Sequence, residues 1–178
     1  MKRRPLLLAA VVLLVVFILA SALFHVLDFR QREVGQQADA PATTALTMPE
    51  LSDADYDWIG SRIYQNEALG KAEYLTHWND GEDFPSLGIG HFIWFPAGVD
   101  APFDEQFPAV VSYLRQQVPQ ALQVPAWLEE LDPFVAPWNS KTQFDQARSS
   151  AEMTSLRQWL EATRRYQARF IVSAFEKR

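Results

Sequence analysis

From residue 50 onward, apolar and polar positions alternate at two different periods, and each period predicts a different element. Tyr56, Ile59 and Ile63 recur at helical spacing. Ser52-Asp-Ala-Asp55 opens that helix as a capping box with its acidic residue at N3. Gly70 supplies a helix end. Downstream, Ser86-Leu-Gly-Ile-Gly-His91 alternates apolar residues with glycines and runs into Phe92-Ile-Trp-Phe95, a β-prone stretch. Asp80-Gly81 is a turn signal ahead of it, so a small hairpin is predicted.

Prolines punctuate the second half. Pro96-Ala-Gly98 and Ala101-Pro102 mark a loop, and Phe107-Pro108 starts a helix with a Val110, Val111, Leu114 stripe. Pro125-Ala-Trp-Leu128 opens a helical turn, and Pro133 to Trp138 is irregular and aromatic. Asn139-Ser140 and Ser150 are helix caps. Met153, Leu156, Leu160, Phe170, Ile171 and Ala174 carry helical periodicity to the end. The expected class is α+β, mainly α, with a small β-hairpin lobe against a helical one.

Ahead of residue 50 the pattern is of another kind. Met1-Lys-Arg-Arg4 precedes an uncharged apolar run from Pro5 to Leu27, long enough to span a bilayer with the N-terminus in the cytoplasm. A cleaved signal peptide is the alternative, with Ala20-Ser-Ala22 as the small-residue site. Leu23-Phe24 and Val26-Leu27 continue the run past that site and favour a retained anchor. Residues 31–49 are polar, small and proline-containing, as in a linker. The expected organisation is an anchor or signal peptide over 1–30, a linker over 31–49 and one domain over 50–178. That domain would sit in the periplasm on a single-pass inner-membrane anchor, or be released there after signal cleavage.

Composition narrows the chemistry. The 178 residues include no cysteine, which removes disulfides, thiolate nucleophiles and cysteine-ligated metals. Glu50 to Glu105 holds 12 acidic and 2 basic residues, whereas Lys141 to Arg178 holds 4 acidic and 8 basic. The net charge of -6 and the lack of a basic stripe interleaved with aromatics argue against nucleic acid as a partner. Arg164, Arg165 and Arg169 are candidates for anionic wall polymers or lipid headgroups, or form a solvated helix face.

Candidate chemistry concentrates between Ile63 and Phe95. Glu67 lies four and eight residues after Ile63 and Ile59, on their face of the helix. A carboxyl held partly out of water favours its protonated form and can donate a proton. Taken alone, it reads first as a solvated residue in the last turn of a helix that Gly70 ends. Asp80, Glu82 and Asp83 cluster just before the predicted strand. Gly88 and Gly90 suggest close approach of another backbone or a ligand. His77 and His91 with Asp80 or Glu82 have the ligand types for zinc, but no HExxH spacing supports it, so no metal and no cofactor are expected. Trp78, Trp94, Trp127 and Trp138 are either core or sugar-stacking residues.

A helix ending in Glu67, a hairpin carrying Asp80, and Ser86-Leu-Gly-Ile-Gly-His91 together resemble the phage-type lysozymes and endolysins over about residues 55–95. The resemblance implies a lysozyme-like fold and cleavage of peptidoglycan glycan strands. It makes Glu67 the general acid, Asp80 the second carboxylate and Ser86 the counterpart of a water-positioning threonine. His91 becomes the residue bracing the site, supported by Gly88, Gly90, Glu82 and Trp78. Asp80 keeps the family's spacing of eleven residues before the histidine. The segment between Glu67 and His91 is longer than in that family, so Glu82 and Asp83 compete for Asp80's role. If Glu67 acts alone, the same acid suits a lytic transglycosylase. The alternative reading is a non-catalytic cell-wall-binding or envelope-assembly protein that keeps the fold.

Overall fold

The structure is a computed structural model and describes residues 50–176. The expected anchor and linker lie outside the described residues. Among the described residues, no helix is long and apolar enough to cross a membrane. The domain is mainly helical with one three-stranded antiparallel sheet in the order β1-β2-β3.

Helix α1 (Asp53–Ala68) begins at a complete capping box. The Ser52 side chain accepts from the Asp55 amide, and the Asp55 carboxylate accepts from the Ser52 amide at 2.8 Å. Leu69, in the left-handed conformation, closes α1, and Gly70 follows at φ +68°. The helix buries Ile59, Gly60, Ile63, Tyr64 and Ala68. A 3-10 turn (Ala72–Leu75) then leads into β1 (Thr76–His77), β2 (Ser86–Leu87) and β3 (Phe92–Ile93).

The glycine-rich alternation is not a strand. Residues 88–91 form the turn between β2 and β3, with Gly88 at φ +73° and His91 at φ +48°. Backbone in the left-handed region cannot continue a ladder, so the chain reverses and pairs Leu87 with Phe92 and Ser86 with Ile93. The segment between β1 and β2 is likewise a loop. Its tip is a turn in which the Glu82 amide donates to the Asn79 carbonyl at 3.2 Å and Gly81 takes φ +81°.

Among the described residues, five more α-helices follow in order: α2 (Phe107–Gln117), α3 (Ala126–Glu129), α4 (Lys141–Gln146), α5 (Ala151–Ala162) and α6 (Arg164–Glu176). Ser140 and Ser150 cap α4 and α5 through their hydroxyls. Thr163 separates α5 from α6, its buried hydroxyl donating back to the Trp159 carbonyl at 2.8 Å. Helix α6 packs along α1 and also against α2. The pairings of Arg165 with Asp57 and of Arg169 with Asp53 make α1 and α6 antiparallel. Ala174, placed by periodicity on the buried face, is exposed near the end of α6.

The core joins both halves of the sequence: Leu75, Leu87 and Ile89 from the sheet region, Phe107 and Leu114 from α2, and Phe144, Met153, Leu156 and Leu160 from α4 and α5. Tryptophans belong mainly to it. Trp94 is fully buried against Phe107 and Phe134, and Trp138 packs edge-on between Trp94 and Phe144. The Trp127 indole donates to Ser155 Oγ at 3.0 Å.

Candidate functional site

Glu67 occupies the last turn of α1, one residue before its final buried alanine. Its side chain is half-buried, and burial alone raises its pKa above the usual carboxylate value. No hydrogen bond or ion pair joins it to Asp80, Glu82, Asp83 or any other side chain among the described residues. The charged form therefore lacks compensation among the described residues.

The three hairpin carboxylates take different environments. Asp80 stands at the tip of the loop, its side chain 97% exposed, with Lys141 Nζ at 3.7 Å. Glu82 is half-buried and accepts from Asn79 Nδ2 at 2.9 Å, while Asp83 is exposed. Alternation along a strand cannot sort them, because this segment is a turn.

A short hydrogen-bonded chain organises that loop. Since Asn79 turns its amide nitrogen to the Glu82 carboxylate, its carbonyl oxygen faces His77 Nε2 at 2.9 Å. The oxygen only accepts, so His77 Nε2 carries a proton and donates to it. The Trp78 indole donates to the Glu82 carbonyl at 2.8 Å, and its ring packs edge-on against Phe144. Trp78 is buried, so it supports the loop from beneath rather than offering a ring face to a sugar.

Ser86 lies directly across from His77 on β1 and from Ile93 on β3, which puts these three side chains on one face of the sheet. It is largely buried, and its hydroxyl makes no hydrogen bond to another described residue. His91, at the end of the β2–β3 turn, has its pKa lowered by burial first and by the nearby His77 second, so it is neutral near physiological pH. Gly88 and Gly90 are close-approach positions, but side chains of this chain make the approach. A Cβ on Gly88 would lie 2.5 Å from Gln167 Oε1, and one on Gly90 would lie 2.6 Å from the Phe92 ring.

Gln167 was not singled out by sequence, and it holds this turn in place. Fully buried on α6, it accepts the Ile89 amide hydrogen at 3.0 Å and donates to the Leu160 carbonyl and to Thr163 Oγ1. The available signal was a polar residue on an apolar stripe: Leu160, Thr163, Gln167 and Ile171 follow helical spacing. Arg157 has a similar role under β1, donating to Thr76 Oγ1 and to the Arg148 carbonyl, each at 2.8 Å.

The structure thus brings Ser86, His77, His91 and the 79–82 loop into one region, around the sheet. Asp80, His77 and Trp78 line a cavity of about 410 Å³ with Asn79, Lys141, Asp145 and Arg148. Glu67 does not line that cavity. The basic residues of α6 are engaged: Arg165 with Asp53 and Asp57 of α1, Arg169 with Asp53 of α1, and Arg164 with Glu161 of α5 and the Tyr64 ring of α1. They staple two helices rather than stand free. Among the described residues, no three His, Asp or Glu side chains group to hold a metal.

Comparison of the chain with protein-family profiles, with curated protein sequences and with solved structures gave no match.

Proposed function

We propose that the domain is lysozyme-like and cleaves the glycan strands of peptidoglycan, with Glu67 as the general acid. The observation that carries this reading is Glu67 itself. It is a helix-end carboxyl whose pKa is raised by burial alone, with no cation among the described residues to hold its charge. Protonation of a glycosidic oxygen needs an acid that keeps its proton near neutral pH. The domain would work from the periplasmic face of the inner membrane, tethered by the Pro5–Leu27 segment, or free in the periplasm after signal cleavage.

Two routes complete the bond cleavage. Inverting hydrolysis requires a second carboxylate about 6.5–9.5 Å from the acid, with room for water between. In that route Asp80 activates a water held by the Ser86 hydroxyl, and Glu82 adds negative potential. His91 braces the turn that Gly88 and Gly90 shape. Alternatively Glu67 acts alone and gives its proton to the leaving oxygen. Its carboxylate then takes the proton of a hydroxyl of the sugar itself as that oxygen bonds to the anomeric carbon, and no water enters the product. Solvation of Asp80 and its pairing with Lys141 favour this single-acid route. The same observation supports the second reading, a non-catalytic protein that binds the cell wall.

The test is digestion of labelled peptidoglycan by the full-length chain in ¹⁸O-labelled water. Soluble muropeptides carrying ¹⁸O identify hydrolysis, and unlabelled products identify the single-acid route. Retained binding without soluble product identifies the non-catalytic protein.

A further inference from the structure

The loop that carries Asp80 and the segment 141–149 face each other across the cavity, and each is braced within itself. His77, Asn79 and Glu82 are hydrogen-bonded along the loop. Lys141, Asp145 and Arg148 pair along the opposite wall. Two contacts cross between the walls. Lys141 Nζ stands 3.7 Å from Asp80, but that carboxylate is almost fully solvated, so water screens the pairing. The Trp78 ring meets Phe144 edge-on, an apolar contact that resists separation without fixing direction.

The directional link comes from behind. Arg157, half-buried on α5, donates from Nε to Thr76 Oγ1 and from Nη1 to the Arg148 carbonyl, each at 2.8 Å. Thr76 is fully buried on β1, immediately before the His77–Asp80 wall, and pairs in register with Leu87. The Arg148 carbonyl belongs to the 3-10 turn (Ala147–Ser149) that ends the other wall. One planar guanidinium therefore holds the root of each wall. Burial first, then the Arg148 charge, lowers its pKa, and Glu73 offsets part of this without forming an ion pair. Burying part of a charge in this way costs stability that an apolar side chain would not.

We propose that Arg157 is a positioning residue: it sets the gap between loop 77–82 and segment 141–149, and through Thr76 the place of Asp80. The proposal rests on the hydrolytic route of the glycan-cleaving reading, in which Asp80 activates water. Arg157 does not line the cavity, so it acts through the two walls rather than on substrate.

The chain has no cysteine, so two introduced ones can carry spin labels at chosen points. Asp83→Cys and Ser149→Cys, both at exposed residues, place one label on each side in the full-length chain in detergent micelles. Dipolar spectroscopy is expected to give one narrow distance with Arg157 in place. Arg157→Met removes both donors and is expected to broaden the distribution while the melt stays cooperative. Arg157→Lys, a single ammonium, is expected to recover part of the narrowness. Thr76→Val removes the other end of the link with little change of shape, and is expected to broaden the distribution likewise. An unchanged distribution in Arg157→Met, or in Thr76→Val where Arg157→Met unfolds, would overturn the positioning.

Initial rates on labelled peptidoglycan, without the spin labels, test the consequence for Asp80. Arg157→Met is expected to slow release by about 10- to 100-fold, the scale of an ångström's misplacement of a reacting group. Combined with Asp80→Asn, it is expected to cost no more than the worse single variant, because both take the same carboxylate out of action. Costs that multiply, or an Asp80→Asn variant as fast as wild type, would overturn the link to Asp80. Absence of release by the wild type would sink the glycan-cleaving reading instead, and the distance measurement then decides the positioning alone.

Discussion

Gln167 Oε1 accepts the Ile89 amide hydrogen at 3.0 Å, tying α6 to the Gly-Ile-Gly-His turn across 78 positions of sequence. Both groups are buried, and the amide nitrogen of the same side chain is spent on the Leu160 carbonyl and Thr163 Oγ1. The turn that carries His91 therefore owes its position to a residue from the opposite end of the domain. Gly88 makes the contact available, since any Cβ there would displace Gln167.

Replacing Gln167 by leucine keeps the volume roughly but leaves the Ile89 amide without an acceptor. A buried donor stripped of its partner costs about 1–3 kcal/mol. Denaturant unfolding of Gln167→Leu is expected to show a loss of that size, with faster amide exchange at Ile89. An unchanged midpoint and unchanged exchange would mean that the turn is held by packing alone.

Glu67 links stability to pH. Its folded pKa lies above its unfolded value, so the native state keeps the proton to higher pH than the unfolded chain does. The contribution of this group is then most favourable at acid pH and declines as the carboxyl ionises on the way to neutrality. Glu67→Gln removes that penalty. The variant is expected to melt higher than wild type at pH 7, with the difference closing below about pH 4.5, the ordinary value for the group. A variant less stable than wild type at pH 7 would show that the carboxylate is a structural anion.

His91 has the opposite linkage. Its folded pKa is depressed below 6.5, so the unfolded chain takes up the proton first. The contribution is complete above pH 6.5 and is lost as pH falls below it. Asparagine tolerates the left-handed conformation His91 adopts and has no titrating group. In His91→Asn the acid limb of the stability profile is expected to flatten while the hairpin persists, as read by thermal melts between pH 4 and pH 8. An unaltered acid limb would place the sensitivity elsewhere.

If the hydrolytic route operates, Asp80→Asn is expected to reduce turnover of peptidoglycan and Glu82→Gln to have a smaller effect, whereas the single-acid route leaves both variants nearly unaffected. Asp83, exposed and without a role in the loop's hydrogen bonding, is expected to be silent as Asp83→Asn. Initial rates on one labelled substrate rank the three variants. Asp83→Asn as the most damaging would reassign the second carboxylate.

Much of the architecture was legible because its signals are local. The Ser52–Asp55 capping box, the Ser140 and Ser150 caps and the Ile59–Ile63–Glu67 spacing each act within one or two helical turns. The β2–β3 turn was misread because alternating glycine and apolar residues mimic strand periodicity, and the left-handed His91 that reverses the chain has no such signature. The contacts that organise the candidate site were illegible for another reason. Gln167 with Ile89, Arg157 with Thr76, and Lys141 with Asp80 join residues far apart in sequence, and no local rule pairs them. Strand alternation cannot rank the hairpin carboxylates, since residues 79–82 form a turn.

Release of soluble muropeptides from labelled peptidoglycan, wild type against Glu67→Gln, tests the central claim most directly. The amide keeps the shape of the side chain but cannot supply the proton, and general acid–base catalysis typically contributes about 10²–10⁴-fold. The wild type is expected to release product, and the variant to release it slower by that factor or more while remaining folded. Equal release by the two proteins, or none by the wild type, would contradict the assignment of Glu67 as the catalytic acid.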